Sequence, residues 1–307
     1  MNEVIRVSQL KKSFSGHSII DGIDFVVPQG NIFALIGTNG AGKTTVVKMM
    51  TTLLKQDEGT IQVNGLDSST EAEKIREIIS LTGQFTAVDD VLTGRENLVL
   101  IGKLRHLKDY QKRVDTLLKQ FDLQEAAKRP VSTYSGGMRR KLDLAMSLMS
   151  EPRILFLDEP TTGLDPQARA VLWQMIRQLK QKGVTIFLTT QYLEEAEQLA
   201  DTVAILNKGK IALQGSMAEV KKRLPQGTIE LAFADQETLK QAEKRVGGEL
   251  NEERLTLTVT TNDEVQKITE VLSALQQQQI QILGFAQKNP TLEDVFFSIV
   301  NQQEAGK

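Results

Sequence analysis

The sequence predicts an α/β protein. A parallel sheet with helices on both faces is preceded by a short antiparallel β region, interrupted by a helical subdomain and followed by a small α+β domain of ferredoxin-like order. Three observations predict this. Strand and helix patterns alternate from ILFLD (154–158) through the helix around Trp173 to VTIFLTT (184–190). The run Gly37-Thr38-Asn39-Gly40-Ala41-Gly42-Lys43-Thr44 matches G-x-x-x-x-G-K-[ST] between an apolar strand and a helix. Beyond Pro225 the patterns follow the order β-α-β-β-α-β.

The early runs VIRVSQL, IIDGIDFVV, NIFALIG and GTIQVNG are β-patterned and separated by polar or Gly-rich turns, as in a meander or small mixed sheet. A helix opens at Thr45 and reaches Leu54. A helical region follows from about Thr93 to Lys128 and is assigned to a helical subdomain over residues 88–133. STYSGGM then leads into a helix over Arg139 to Met149, whose apolar residues Met138, Leu142, Ala145 and Met149 share one face. DTVAILNKGKIALQG reads as a hairpin turning at Asn207-Lys208-Gly209. Leu224-Pro225-Gln226-Gly227 reads as a linker, so the expected domains are 1–223 and 228–307. In the second domain TIELAF, a short strand near Gly248-Leu250, RLTLTV and IQILGFA are strands. QETLKQAEKRV and DEVQKITEVLSAL are helices, and TLEDVFFSIV is a final amphipathic helix before the tail.

With 307 residues, 40% hydrophobic and 25% charged, the chain has the balance of a globular protein. Its net charge of −2 gives no basic footprint for nucleic acid. No cysteine is present, which excludes disulfides, thiolate metal sites and thiol nucleophiles. The N-terminus has no apolar h-region, and no apolar run approaches the ~18 residues of a membrane span. A role at a membrane therefore implies a partner.

The glycines of the 37–44 motif let successive backbone N–H groups face one concavity, and the following helix start adds its positive end. Lys43 supplies a mobile charge for β- and γ-phosphates, and the Thr44 hydroxyl suits Mg²⁺. The strand ILFLDEP ends in Asp158 and Glu159. Asp158 fits an acid that holds Mg²⁺, and Glu159 a base for an attacking water. The alternative is a strand capped by solvated acids. Ser135-Gly136-Gly137 at a helix start reads as a second anion site or an ordinary N-cap. Arg139, Arg140 and Lys141 read as a solvated or partner-facing patch, and Glu194, Glu195 and Glu197 as a solvated helix face.

Taken in order, the phosphate motif, Gln84 in LTGQF, YSGGM, the acids at 158–159 and Gly163-Leu164-Asp165 resemble the ATP-binding subunits of ABC transporters over about residues 1–222. YSGGMRRKLDLA, TTQYLEEAEQLAD and NPTLEDVF resemble the daunorubicin-resistance type of exporter ATPase within that family. The resemblance implies a P-loop NTPase fold of ABC type that binds ATP and Mg²⁺. It implies that Phe14 stacks on adenine (the alternative is a core Phe), that Gln84 touches Mg²⁺ or water, and that Asp165 crosses a dimer interface. It implies a head-to-tail homodimer in which the 37–45 loop of one chain and Ser135-Gly137 of the other enclose each ATP. It further implies an integral membrane permease partner, a peripheral place on the cytoplasmic face of the membrane, and export driven by hydrolysis. A soluble ATPase of the same type, acting in translation, repair or assembly, is the rival. Gln191 stands where the family usually has a histidine. Its amide offers a donor and an acceptor at similar reach but cannot become a cation. The alternative is a polar strand end without a role.

Overall fold

The computed structural model describes residues 2–222, 227–262 and 264–288. The chain divides into two compact units, one ending at Ala218 and the next beginning at Glu219. That division falls a few residues before the expected linker. Residues 224–226, and the helix expected over TLEDVFFSIV, lie outside the described residues.

The first unit opens with β1 (Glu3–Phe14), β2 (His17–Pro28), β3 (Ile32–Ile36), α1 (Lys43–Met50), β4 (Glu58–Val63), β5 (Leu66–Asp67), α2 (Ala72–Ile78) and β6 (Ile79–Thr82). It continues with α3 (Gly94–Leu104), α4 (Tyr110–Gln120), a 3-10 turn at Val131–Thr133 and α5 (Gly136–Ser147). Then come β7 (Ile154–Asp158), α6 (Pro166–Gln181), β8 (Thr185–Thr190), α7 (Leu193–Leu199), β9 (Thr202–Asn207) and β10 (Lys210–Ser216); the division between the units falls within α8 (Met217–Lys222). An antiparallel sheet runs in the order β2-β1-β4-β5. A second sheet runs β10-β9-β3-β8-β7-β6, parallel except for the antiparallel edge strand β10.

NIFALI does not belong with the early β runs. As β3 it pairs in parallel with both β8 and β9. All five of its residues are buried, as are those of β7 and β8. Strands covered on both faces read as continuous apolar runs rather than alternating ones. Their centre is a chain of aromatic rings: Phe33 lies 5.3 Å from Phe25 and from Phe187, and Phe187 lies 5.7 Å from Phe156.

The helical stretch expected after residue 93 holds two helices, α3 and α4. Thr93 opens α3 with a reciprocal cap. Its hydroxyl accepts from the Glu96 amide at 3.2 Å, and the Glu96 carboxylate accepts from the Thr93 amide at 2.8 Å. The helix ends at Leu104, and left-handed residues at His106 and Asp109 turn the chain into α4. Helix α1 starts two residues before the expected Thr45. β6 forms one edge of the second sheet, directly after α2, and neither element is among those the sequence predicts.

The second unit holds β11 (Thr228–Ala232), α9 (Gln236–Val246), β12 (Glu249–Asn251), β13 (Thr256–Thr260), α10 (Val265–Gln277) and β14 (Gly284–Lys288). Its sheet runs β12-β13-β11-β14, antiparallel throughout, which is the ferredoxin-like arrangement. Ile229, Leu231, Leu239, Leu257 and Leu275 form its core.

Phe187 is fully buried and touches the rings of three neighbours. Phe187→Ala is expected to destabilise the first unit by about 3–5 kcal/mol, read as a lowered urea midpoint. A shift under about 1 kcal/mol would deny the ring cluster its place at the centre of the core.

Candidate functional site

The site grows from the carboxyl ends of β3, β7 and β8. At the end of β3 the Gly37 amide donates to the Thr190 carbonyl at 3.3 Å. A Cβ on Gly37 would lie 2.6 Å from the Leu206 carbonyl oxygen, so no side chain fits there. Gly42, with φ +104°, is the N-cap of α1, and a Cβ there would meet Ile20 Cδ1 at 2.6 Å. The loop thus curls back over the start of α1. Lys43 is buried beneath it. Its ammonium donates to the carbonyls of Gly37 at 2.8 Å and Thr38 at 3.1 Å, and pairs with Glu159 Oε1 at 3.1 Å.

β7 and β8 set Asp158 opposite Thr189. Thr189 Oγ1 donates to Asp158 Oδ1 at 2.5 Å, and Thr44 Oγ1 donates to Asp158 Oδ2 at 2.9 Å. Glu159 follows in a left-handed conformation, φ +50°. Its amide donates to the carbonyl and the hydroxyl oxygen of Thr189, both at 3.1 Å. The Glu159 carboxylate accepts from Thr162 at 3.3 Å and from Gln84 Nε2 at 3.5 Å. Both acids are buried, so they are not solvated caps of a strand.

A cavity of 480 Å³ is lined by Phe14, Ile19, Asn39, Gly40, Gly42, Lys43, Thr44, Thr45, Gln84 and Glu159. Phe14 is 45% exposed and so is not a core residue. The hydroxyl, carboxylate and amide oxygens of Thr44, Asp158 and Gln84 are hard donors that suit Mg²⁺. Among the described residues no group of three His, Cys, Asp or Glu could hold a metal ion.

Ser135, Gly137 and Asp165 line a different cavity, of 280 Å³, with Met138, Leu164 and Ala168 among its other walls. Gly136 opens α5 beside them, exposed. Ser135 caps α5, its hydroxyl accepting from the Met138 amide at 3.3 Å. Asp165 caps α6, accepting from the Ala168 amide at 2.8 Å. Gln191 is half-buried, one residue beyond β8, and belongs to the lining of neither cavity.

Two surface readings are corrected. Arg139 is partly exposed and pairs with Asp90 at 2.7 Å, but Arg140 is buried among backbone carbonyls. Glu194 is exposed, whereas Glu195 is fully buried and accepts from the Trp173 indole at 3.1 Å. Burial pushes the Glu195 carboxyl up, against the pull of Thr190, Thr161, Trp173 and Arg140. Thr189, which holds both acids, and Ile19, which lines the nucleotide-sized cavity, were missed. Nothing in the local sequence of α5, GGMRRKLDLAMS, marks Arg140 and Asp143 as a buried pair.

Among the described residues no helix is long and apolar enough to cross a membrane. The ABC transporter family model matches residues 20–162, and the ATP-binding protein DrrA1-3-like C-terminal domain matches residues 215–300. The daunorubicin resistance ATP-binding protein DrrA3 of Streptomyces coeruleorubidus is 40% identical, covering 99% of this chain and 98% of its own length. The doxorubicin resistance ATP-binding protein DrrA of Mycobacterium tuberculosis is 37% identical, covering 95% of this chain and 92% of its own. A solved ATP-binding subunit of an ABC transporter superposes with a TM-score of 0.65 at 29% identity, over 72% of this chain and 92% of that one. An ATP-binding cassette in its ADP conformation gives a TM-score of 0.65 at 25% identity, over 71% and 93%. With its cradle, its acids and its second domain, the chain belongs to the ABC transporter family, as an ATP-binding ATPase subunit of the branch that carries the DrrA-like C-terminal domain.

Proposed function

We propose that two copies of this chain, packed head to tail, bind and hydrolyse two ATP molecules and so power a separate integral membrane permease that exports drug-like cargo. The observation that carries the chemistry is the pair of contacts at the start of α1: Lys43 against Glu159 at 3.1 Å and Thr44 against Asp158 at 2.9 Å. Export is supported by relatives named for daunorubicin and doxorubicin resistance. A separate permease is supported by relatives named as ATP-binding proteins of drug resistance, and in this reading the protein sits at the cytoplasmic face of the membrane as a peripheral subunit.

In this reading Phe14 stacks on the adenine, and the backbone of 37–42 with Thr45 wraps the phosphates. Lys43 contacts the β- and γ-phosphates. Thr44, Asp158 and Gln84 hold Mg²⁺, which neutralises phosphate charge when bound. Glu159 accepts the proton of the attacking water, with Gln84 beside its carboxylate. Gln191, at the strand end next to the cradle, donates to the γ-phosphate and orients the water. Ser135, Gly136 and Gly137 reach the ATP held by the other copy, and Asp165 crosses the same interface. Driving closure from 1:99 to 99:1 takes ~5.5 kcal/mol of differential affinity. A few charge-assisted hydrogen bonds at each of two γ-phosphates supply that much.

Glu159→Gln is expected to retain ATP binding and to lower turnover by ~10²–10⁴-fold, measured as phosphate release by the purified full chain. Hydrolysis at the parental rate would remove Glu159 from the base role. Gln191→Ala is expected to lower kcat by roughly 10- to 10²-fold, the scale of one lost transition-state donor. Parental turnover in that variant would leave Gln191 as a polar strand end and nothing more. Affinity purification of the tagged chain from detergent-solubilised membranes is expected to bring down a polytopic membrane protein; ribosomes or DNA in its place would favour the soluble rival.

A further inference from the structure

We propose that Arg140 is a positioning residue for ATP hydrolysis: from inside α5, one guanidinium holds the backbone that presents both Gln84 and Glu159. The proposal rests on the reading above, in which Glu159 accepts the proton of the attacking water and Gln84 stands beside its carboxylate as a holder of Mg²⁺.

Arg140 is buried, and its donors go to two different loops. Nε donates to the Pro160 carbonyl at 2.7 Å, and Nη2 to the Glu159 carbonyl at 3.3 Å. Nη1 donates to the Gly83 carbonyl at 2.8 Å and to Asp143 Oδ2 at 3.2 Å. Gly83 precedes Gln84. Three residues beyond Gln84, the Ala87 amide donates to Asp143 Oδ1 at 3.1 Å. The Arg140–Asp143 pair therefore grips the Gln84 loop on both sides and the Glu159–Pro160 peptide at the same time.

Stability alone does not explain such a residue. Desolvating a guanidinium costs several kcal/mol, and an apolar side chain of similar volume usually serves a core as well or better. What Arg supplies and an apolar residue or Lys does not is a planar fork that meets several carbonyls in fixed directions. One of those carbonyls needs holding. Glu159 has φ +50°, a conformation that disfavours any residue with a Cβ and persists only when its surroundings impose it. Thr189 fixes the amide side of Glu159, and Arg140 fixes the carbonyl side. Gln84 Nε2 and Glu159 Oε2 stand 3.5 Å apart, and that spacing depends on both gripped segments. None of the fork's donors goes to the cradle loop or Lys43, so the proposed phosphate contacts of the 37–44 backbone and Lys43 do not depend directly on it.

The test uses Arg140→Lys in the full-length chain, with MgATP dissociation constants, kcat and KM per folded molecule, and thermal melts. Lysine keeps the charge and loses the fork. The expected result is a kcat lowered about 10- to 100-fold, the scale of a small misplacement of reacting groups. The MgATP dissociation constant should move less than about threefold, and kcat should fall less than about threefold further when Arg140→Lys is added to Glu159→Gln, because residues acting through one another are not additive. A merely structural role predicts a lower melting temperature with kcat per folded molecule within about twofold of the parent; that result overturns the proposal, as does a full multiplicative loss in the Glu159→Gln background. If Arg140→Lys does not fold, Asp143→Asn takes its place, with an expected kcat loss of about 3- to 10-fold at unchanged MgATP affinity. An unchanged kcat there overturns the proposal. Glu159→Gln alone separates the two levels. If it hydrolyses ATP normally, the underlying reading fails; if it is inactive while Arg140→Lys is fully active, only the role of Arg140 fails.

Discussion

Asp158 and Thr189 face each other across β7 and β8, and the hydrogen bond between them, at 2.5 Å, ties the chemistry of this chain to the register of its sheet. The same Thr189 hydroxyl oxygen accepts from the Glu159 amide at 3.1 Å. A one-residue slip of β8 would turn Thr189 to the other face of the sheet and release both acids. It would also unseat the cradle, because the Thr190 carbonyl receives the Gly37 amide. Register is in turn fixed by burial. β3, β7 and β8 are covered on both faces, with Phe33, Phe156 and Phe187 in contact across them. Packing in the middle of the sheet thereby sets hydrogen-bond distances at its end.

What could be read from the sequence was what is local. The residues 37–44 form their cradle from consecutive backbone, so their spacing was enough. Asp158 and Glu159 were legible because an apolar strand pattern stopped at them. The β-α-β-β-α-β order of the second unit was legible because each element is long enough to show its own period. By contrast, α2 has seven residues and β6 four, too few for a periodic signal. β3 was grouped with its sequence neighbours, while its hydrogen-bond partners lie more than 150 residues away. Arg140 and Glu195 were read as surface because RRK and EEAE are charged runs. Their burial comes from elements packed on a second side of α5 and α7, and no local pattern contains that.

Division of labour within one chain is the other constraint. The cradle, Gln84 and Glu159 line one cavity, and Ser135, Gly137 and Asp165 line another with which it shares no residue. In the proposed head-to-tail pair, a nucleotide seated on Lys43 gains the glycine-rich turn at Ser135 from the second molecule. The Arg140–Asp143 grip sits between the two functions. The helix that exposes Ser135 at its start holds, five residues further on, the backbone that carries Glu159.

The measurement that bears most directly on this arrangement is complementation in mixed dimers. Lys43→Ala and Gly137→Asp chains, each inactive alone, are combined, and ATP hydrolysis is followed across mixing ratios. Two copies that share each site will regain one intact pocket per mixed pair, so activity will reappear and peak at equal amounts, at about a quarter of the parental rate if pairing is random and the pockets are independent. Mixtures that stay inactive at every ratio, while mixed pairs are shown to form, would contradict it.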